Sequence, residues 1–264
     1  MEQETPTFQT AEQTQFRSLE HALSVLCAFA EKEEFGISEL ARRLNLHKSG
    51  VHRIVKTLAT HGFVEQRSNR RYCLGVKVLE LGNMYRLRLD MVRKAEPILR
   101  DLSRRANANT HLARLENGEV LDLVRVEYPA PLRVTKSPML RRPPHCTALG
   151  KVLLAYGTIE EVNALFERGV ARLTHKTITQ PQRLLKELSR IRECGYAVDD
   201  EEFYAGIRCV AAPVFNENGD TVAAMSISGL ITHVTEDRIP QFASWVMQAC
   251  GDLSVQLGFR AFRT

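Results

Sequence analysis

The chain has 264 residues, a net charge of +5, and apolar and charged contents of 44% and 25%. This length accommodates two domains, and the composition is that of a soluble globular protein. The apolar runs are too short for a transmembrane helix, and the polar N-terminus has no signal-peptide pattern. We therefore expect a cytoplasmic protein with no membrane partner, six reduced cysteines and a disordered arm over residues 1–15.

Positive charge is concentrated in one segment of the chain. Residues 42–77 contain nine Lys or Arg and one acid, Glu65, so the segment carries +8 (9 − 1) and the remainder −3 (5 − 8). A basic island on a slightly acidic body indicates a surface that binds a polyanion. The alternative is an ordinary solvated surface.

Three short helices are predicted first. A helix starting near Ser18 would bury Leu19, Ala22, Leu23, Leu26, Phe29 and Ala30, and a second helix, capped by Ser38, would bury Ile37, Leu40, Ala41 and Leu44. A third helix, over residues 48–61, places Val51, Ile54, Val55 and Leu58 in the core, with Gly62 after its last turn. Ser49, Arg53, Lys56 and Thr60 then lie on its opposite face.

A basic hairpin follows these helices. "GFVEQR" and "RYCL" predict two short strands joined by "SNR". Three helices and a basic hairpin describe a winged helix-turn-helix, predicted here over residues 16–77, which would bind double-stranded operator DNA. Gly50 would let the DNA backbone approach closely, or it is neutral drift. The expected DNA-binding residues are Ser38, His47, Lys48, Ser49, Gly50, His52, Arg53, Lys56, Arg67, Asn69, Arg70 and Arg71.

The junction between the domains is predicted to be a helix, over residues 78–92. Its apolar residues would pack either against a second copy of the chain or within the same chain.

Residues 93–264 predict an antiparallel α+β domain. Two hairpins are indicated, "THLARLE"/"EVLDLVRVE" around Asn117-Gly118 and "IRCVAAPVF"/"TVAAMSIS" around "NENGD". "LRVTKS" suggests another strand, "YAV" starts one, and "DDEEFYAG" is an acidic loop. Helices are expected over residues 147–156, from the capping box of Thr158 and Glu161, from Pro181 to Gly195, and after Thr235.

Small polar side chains predict a ligand site in this domain. Ser226 and Ser228 share one face of a strand, near Cys209 on the neighbouring strand. The helix beginning near Ala148 and Leu149 offers free backbone N–H groups that suit a carboxylate. The alternative is that the serines only satisfy neighbouring backbone groups.

Catalysis is not expected. The adjacent His145 and Cys146 cannot easily form a nucleophile–base pair with Asp199 or Glu201. The spacing of Cys146, Cys209 and His145 matches no metal site, so we expect no enzyme, metal or cofactor.

Several sequence blocks resemble the IclR family of transcriptional regulators. They are "RSLEHALSVL", "GISELARRLNLHKSGVHRIVKTLATHGFV", "RRYCLGVKVLELG", "THLARLENGEVLDLVRVE", "PPHCTALGKVLLA" and "GYAVDDEEFYAGIRCVAAPVFNENGDTVAAMSISG". The resemblance implies a winged helix, a linker helix and a GAF-like effector domain, assembled as homodimers or dimers of dimers. The family commonly has Ser-Thr where this chain has Ser49-Gly50, which would alter operator preference.

The resemblance also implies an effector, either a small organic acid or an aromatic catabolite. By motif position its contacts fall on Ala148, Leu149, Asp199, Cys209, Ser226 and Ser228. An upper wall would include Leu132 and Val134 or the "SPMLRRPP" loop. The prediction is therefore a ligand-responsive regulator of a catabolic operon. The alternative is a GAF-like sensor that acts through protein contacts, which would lack the steep salt dependence of DNA binding.

Overall fold

The computed structural model describes residues 9–88, 90–129 and 141–260. The chain divides into two compact units, residues 1–88 and 89–264. The division falls inside the predicted linker, residues 78–92. Each unit is described separately below.

The first unit is a winged helix-turn-helix. Its elements are α1 (Gln9–Ala28), α2 (Ile37–Arg43), α3 (Lys48–Thr60), β1 (Val64–Gln66), β2 (Tyr72–Leu74) and α4 (Val76–Arg88). Val25, Leu40, Val51, Val55 and Val64 form the centre of its core. Phe35 makes an antiparallel bridge to Tyr72, which ties the β1–β2 hairpin to the chain before α2. On α3, Val51 and Val55 are buried as predicted, and Ile54 and Leu58 are partly buried against the same core. Gly62 has the left-handed φ of +74° expected after a helix.

Both predicted caps at the start of this unit are wrong. Helix α1 begins at Gln9, so Ser18 lies within it and residues 9–15 are helical rather than part of an arm; residues 1–8 lie outside the described residues. The segment "QTAEQTQ" is rich in Gln, Ala and Glu, which favour continuation of a helix. Helix α2 is capped by Gly36, whose N–H donates to the Glu39 carboxylate, rather than by Ser38.

The buried side of α1 also differs from the prediction. Val25, Ala28 and Phe29 are buried, whereas Leu19 and Leu23 are 57% and 54% exposed. Helix α1 is apolar on two faces, and the unit covers only one of them. The sequence pattern could not show which face that is.

The second unit contains one six-stranded sheet with helices on both faces. Its elements are α5 (Asp90–Ala106), β3 (Asn109–Glu116), β4 (Glu119–Val126), β5 (Arg141–Arg142), α6 (Ala148–Ala155), α7 (Ile159–Glu167), α8 (Pro181–Cys194), β6 (Ala197–Asp200), β7 (Ile207–Phe215), β8 (Thr221–Leu230) and α9 (Ile239–Gln256). The strand order is β5-β4-β3-β8-β7-β6, and every pairing is antiparallel. The predicted α+β class is confirmed.

Two apolar cores cover the two faces of this sheet. On one face α5 and α9 pack on Leu112, Met225 and Ile227. On the other face α6 and α8 pack on Ala113, Ala211 and Ala224. Small alanines on this second face leave room for α6 to lie close to the sheet.

Most local signals in this unit are confirmed. Asn117 and Gly118 both have positive φ, and Thr158 and Glu161 form the capping box. Pro181 is the first residue of α8, and Gly195 follows its last. Thr235, in contrast, precedes a 3₁₀ turn over Glu236–Arg238, and α9 starts only at Ile239.

Other expectations for this unit are wrong or lie outside the described residues. Asp199 and Asp200 extend β6, so the acidic loop is shorter than predicted. The predicted strand "LRVTKS", with Leu132 and Val134, lies outside the described residues, and Arg141–Arg142 forms β5 where a loop was expected. Val92, the last predicted linker residue, is buried in the α5 core. Among the described helices, none combines the length and apolarity needed to span a bilayer.

Candidate DNA-binding surface and ligand cavity

The outer face of α3 carries unpaired positive charge. Ser49, His52, Arg53 and Lys56 are exposed, while Val51 and Val55 anchor the opposite face. Within the described residues no ion pair involves Lys48, Arg53 or Lys56. These cations are therefore available to phosphate oxygens.

Gly50 has no packing role in the first unit. A Cβ built at Gly50 would meet no described atom within 4 Å, and its φ is helical. Neither space nor backbone conformation within the described chain requires glycine there. The absence of a side chain therefore affects the outer surface of α3 alone.

The hairpin between β1 and β2, the wing, differs from α3 because acids neutralise part of its charge. Glu34 accepts a hydrogen bond from Asn69 Nδ2 at 2.9 Å and lies within 4.0 Å of the guanidinium groups of Arg67 and Arg71. Arg71 also pairs with Glu39, and hydrogen bonds from Lys32 and Arg71 lower the pKa of Glu39 to about 2. Of the four predicted wing residues, Arg70 alone has a side chain with no ion pair or hydrogen bond within the described residues; its carbonyl accepts from Gln66 Nε2.

The remaining predicted DNA contacts, Ser38 and His47, are both exposed, Ser38 in the first turn of α2 and His47 at the N-cap of α3. All twelve predicted residues thus lie in one unit. Arg71 and Asn69 also hold the wing to the segment before α2, so they have a structural role that sequence analysis missed. The acids concerned are more than 30 residues away in sequence, and only the fold brings them together.

The second unit contains a cavity where the N-terminus of α6 meets the sheet. All six predicted effector residues line it, namely Ala148, Leu149, Asp199, Cys209, Ser226 and Ser228. Asp199 pairs in register with Cys209, and Cys209 pairs with Ser228. Directly opposite residues share a face of a sheet, so these three side chains form one row. Cys209 Sγ donates to Ser228 Oγ at 3.2 Å.

The first turn of α6 presents unsatisfied backbone donors to this cavity. Thr147 is the N-cap, and its Oγ1 accepts from the Gly150 N–H at 3.1 Å. The N–H groups of Ala148 and Leu149 have no partner within the described residues, and both residues are buried. Gly150 lets the preceding proline loop approach, since a Cβ there would lie 2.3 Å from the Pro144 backbone.

Asp199 is held beside these donors by the chain that follows β6. Its Oδ1 accepts from the N–H groups of Glu202 and Phe203 at 2.8 and 3.3 Å. Burial raises the pKa of Asp199 to about 7, and nearby Glu202 adds to the effect while Lys151 opposes it. Asp199 can therefore act as a hydrogen-bond donor or acceptor to a ligand near neutral pH.

A buried ion pair connects the elements that form the cavity. Lys151 on α6 is 1% exposed, and its Nζ donates to the Val198 carbonyl at 2.6 Å and pairs with Glu202. Glu187 on α8 lies 3.8 Å from the same Nζ. These contacts join α6, β6 and α8, so they fix the helix terminus relative to Asp199.

The cavity has a second polar region that sequence analysis missed. Its residues, named here the arginine end, are His111, Asp122, Arg125 and Arg142. A β-bulge between β3 and β4 pairs Leu112 with Val124 but Ala113 with Asp122. The bulge places Asp122 and Arg125 on the same face, where simple alternation would separate them. In the sequence, the one indication of the arginine end was Arg142, which lies next to the proline loop.

The cysteines and His145 do not form a reactive site. Burial raises the pKa of Cys146 and of Cys209 to about 12, so both are thiols at neutral pH. His145 Nε2 is 3.0 Å from the Ala171 carbonyl. In the described part of the chain, no group of three or more His, Cys, Asp or Glu side chains is placed to hold a metal ion.

Comparison with known proteins agrees with a DNA-binding surface in the first unit and a ligand cavity in the second. Residues 18–68 match the IclR helix-turn-helix domain, and residues 84–255 match the bacterial transcriptional regulator IclR C-terminal domain. The chain belongs to the IclR family of transcriptional regulators. As a member of this family it combines a DNA-binding domain with a C-terminal ligand-binding domain, and it is a regulator rather than an enzyme.

Individual IclR-family relatives align over nearly the whole chain. XynR of Escherichia coli (strain K12), an HTH-type transcriptional regulator, is 36% identical over 248 residues, covering 93% of this chain and 98% of that protein. KdgR of the same organism, also an HTH-type transcriptional regulator, is 35% identical, covering 90% of this chain and 91% of that protein. An IclR homolog from Microbacterium hydrocarbonoxydans, crystallised with 4-hydroxybenzoate, has a TM-score of 0.80 and 25% identity, covering 91% of this chain and 98% of that one.

Proposed function

We propose that this IclR-family protein regulates a catabolic operon in the cytoplasm in response to a small organic acid or an aromatic catabolite. One observation carries the proposal: the buried, unsatisfied N–H groups of Ala148 and Leu149 lie in the same cavity as Asp199, Cys209, Ser226 and Ser228. Buried donors without partners are costly, so a ligand carboxylate at this position is stabilising.

The acid would bind with its carboxylate on the α6 N-terminus and its remaining polar groups over the sheet. Ser226 and Ser228 can donate or accept hydrogen bonds, and Asp199 can accept from a ligand hydroxyl or donate to a carbonyl. The related structure that holds 4-hydroxybenzoate, itself an aromatic acid, supports this class of ligand.

Operator DNA would be bound by the outer face of α3, in the major groove. Ser49, Arg53 and Lys56 point away from the core, and His47, Lys48, Gly50 and His52 flank them. Arg70 in the wing would contact the DNA backbone or minor groove, with Arg67, Asn69 and Arg71 supporting the wing. Ser38 is exposed in the first turn of α2.

The protein would act as a homodimer or a dimer of dimers. Support comes from apolar side chains that the first unit leaves uncovered: Leu19 and Leu23 on α1, and Val76, Leu79, Leu81 and Met84 on α4. A monomer seldom exposes so many large apolar groups on two helices. Ligand binding would change DNA affinity only if the ligand favours one of two states of this assembly.

A salt titration tests the DNA-binding part of the proposal. Fluorescence anisotropy with DNA from upstream of the neighbouring operon should give a Kd that weakens steeply between 50 and 200 mM salt, by about a thousandfold if six or more phosphates are contacted. A protein-contact sensor would show no such dependence, and absence of binding at 50 mM salt would contradict the proposal.

A thermal-shift screen tests the ligand. Sugar acids, aliphatic acids and aromatic acids are added to the full chain, and a binding acid should raise the Tm of the wild type. The double variant Ser226→Ala/Ser228→Ala should lose this shift while it keeps DNA binding. An unchanged ligand affinity in the double variant would refute the site.

A further inference from the structure

The arginine end of the cavity contains buried polar groups that the proposed carboxylate site does not use. Arg142 and Asp122 have side chains only 15% and 9% exposed, and His111 is 6% exposed. They line the same cavity as the α6 N-terminus. Side chains of this kind are seldom buried unless their charges and hydrogen bonds are compensated.

Within the described residues, these buried groups do not have all the hydrogen bonds that they could form. Arg142 Nη2 donates to Asp122 Oδ1, but Arg142 Nε has no hydrogen-bond partner within the described residues. His111 Nδ1 also lacks one there, because Asp122 Oδ2 is 3.6 Å away, too far for a hydrogen bond. Two buried nitrogen atoms beside the cavity are therefore left for a ligand to satisfy.

The hydrogen-bond donors of the arginine end suit an anion. The Arg142 guanidinium and the His111 ring line the cavity together with one carboxylate, Asp122. Arg125 also lines the cavity, and its Nε lies 3.6 Å from Glu127, which is outside the lining. Burial lowers the pKa of His111, so its ring is neutral at pH 7 and can donate a single N–H. Asp122 holds the Arg142 guanidinium in place and leaves other N–H groups of that guanidinium available to a ligand.

Most of the arginine end lies on strands away from Ser226 and Ser228. Helix α6 contacts mainly β6, β7 and β8, and to a lesser extent β3 and β4, whereas Arg125 is on β4 and Arg142 is on β5. Strands β4 and β5 are two and three strands from β8, so Arg125 and Arg142 are attached roughly 10 and 15 Å from the two serines along the sheet. His111 on β3 pairs with Ser226 and lies between them. One short, extended molecule can reach both the first carboxylate site and the arginine end.

We infer that the effector carries a second anionic group, a carboxylate or a phosphate, which binds Arg142 and His111 at the arginine end. This inference rests on the proposed function, since the first acid group occupies the amides of Ala148 and Leu149. The ligand is then a dicarboxylic acid or a phosphorylated acid, and Arg142 is the residue that selects it over a monoacid. Guanidinium groups bind either anion through paired N–H donors.

Matched acids test the inference by isothermal titration calorimetry on the full chain. The dicarboxylate arm compares succinate with butyrate, glutarate with pentanoate, and adipate with hexanoate. The phosphate arm compares 3-phosphoglycerate with glycerate. The wild type should bind at least one dianion ten or more times as tightly as its matched monoacid, and the arm in which this occurs identifies the second group.

The variant Arg142→Met should reduce that ratio to about one and leave the Kd of the monoacid within twofold. Arg141→Met is the matched control and should keep the ratio, because Arg141 donates to the Glu116 carbonyl and lies outside the cavity lining. If Arg142→Met fails to fold with Asp122 unpaired, the double variant Asp122→Asn/Arg142→Met removes both charges, and it should show the same loss of preference.

Three results would overturn the inference. If a monoacid binds the wild type as tightly as every dianion, the second anion site is wrong while acid sensing stands. If Arg142→Met weakens monoacid and dianion equally, Arg142 is structural and selects nothing. If no acid of either series, and no acid of the thermal-shift screen, binds, the proposed function fails as well.

Discussion

The charged side chains of the first unit differ from those around the ligand cavity in exposure and in pairing. On α3, Arg53 and Lys56 are exposed and form no ion pair within the described residues. Around the cavity, Asp199, Lys151 and Arg142 are buried or nearly so and have fixed partners. Exposed charges act over a distance and are screened by salt, whereas buried charges act through geometry and shifted pKa values.

This difference separates the effects of substitution. Removing an exposed cation should weaken DNA binding and leave folding unchanged. Removing a buried charge should destabilise the second unit, because its partner is left in a poorly solvated site. The following predictions are ordered from the largest expected effect to the smallest.

Lys151→Met should lower the free energy of unfolding of the second unit by about 3–5 kcal/mol, because Glu202 loses its buried partner. Urea denaturation followed by circular dichroism measures this. Lys186→Met on the exposed side of α8 is the control and should change stability by less than about 0.5 kcal/mol. Equal effects of the two variants would show that the Lys151 pair is not structural.

Asp199→Asn should change how stability depends on pH. The pKa of Asp199 is about 7 in the folded chain and about 3.9 unfolded, so the folded state holds the extra proton between these values. Stability of the wild type therefore falls as pH rises from 4 to 7, and the asparagine variant lacks this loss. Relative to wild type it should gain roughly 2–4 kcal/mol from pH 4 to pH 8, measured by urea denaturation at each pH.

Asp200→Asn is the matched control with the opposite sign. Although burial opposes it, hydrogen bonds from Lys176 and Arg208 lower the pKa of Asp200, so its contribution is lost as pH falls. This variant should therefore lose stability relative to wild type as pH rises from 3 to 6. The same pH trend in both variants would contradict the assigned environments.

Arg53→Ala/Lys56→Ala should raise the Kd for operator DNA roughly tenfold to a hundredfold, because two phosphate or base contacts are lost. The slope of log K against log[salt] should become shallower by about 2. The Tm should stay within about 1 °C of wild type, since both side chains are exposed. Arg71→Ala is the contrast: it should lower the Tm as well, because Arg71 binds Glu34 and Glu39.

Gly50→Ala should stabilise the first unit by up to about 1 kcal/mol, since the added methyl group meets nothing within 4 Å. Gly251→Ala in α9, which is equally uncrowded, should give a similar gain in its own unit. Only Gly50→Ala should change affinity for operator DNA. Unaltered DNA affinity in Gly50→Ala would show that glycine there is incidental.

Sequence analysis predicted features that depend on short-range patterns. The 3.6-residue period placed Val51 and Val55 in the core and Arg53 outside, and turn and cap signals located the Asn117-Gly118 hairpin and α8. The six predicted effector residues also lie in one cavity, although Asp199 came only from motif position and the resemblance.

The features that were missed depend on contacts distant in sequence. Glu34 neutralises the wing from more than 30 residues away, and a single bulge turns Asp122 toward the cavity. No local pattern marks either contact. The exposed side of α1, with Leu19 and Leu23, shows the same limit, because periodicity identifies an apolar face but not what covers it.

The most direct test of the account measures operator affinity with and without a bound acid. Fluorescence anisotropy at fixed salt compares the wild type with Ser226→Ala/Ser228→Ala, using an acid that raises the Tm of the wild type. The account predicts that the acid changes the DNA Kd of the wild type by at least about fivefold and leaves that of the double variant unchanged. An acid that binds the cavity without changing the DNA Kd of the wild type would contradict ligand control of DNA binding.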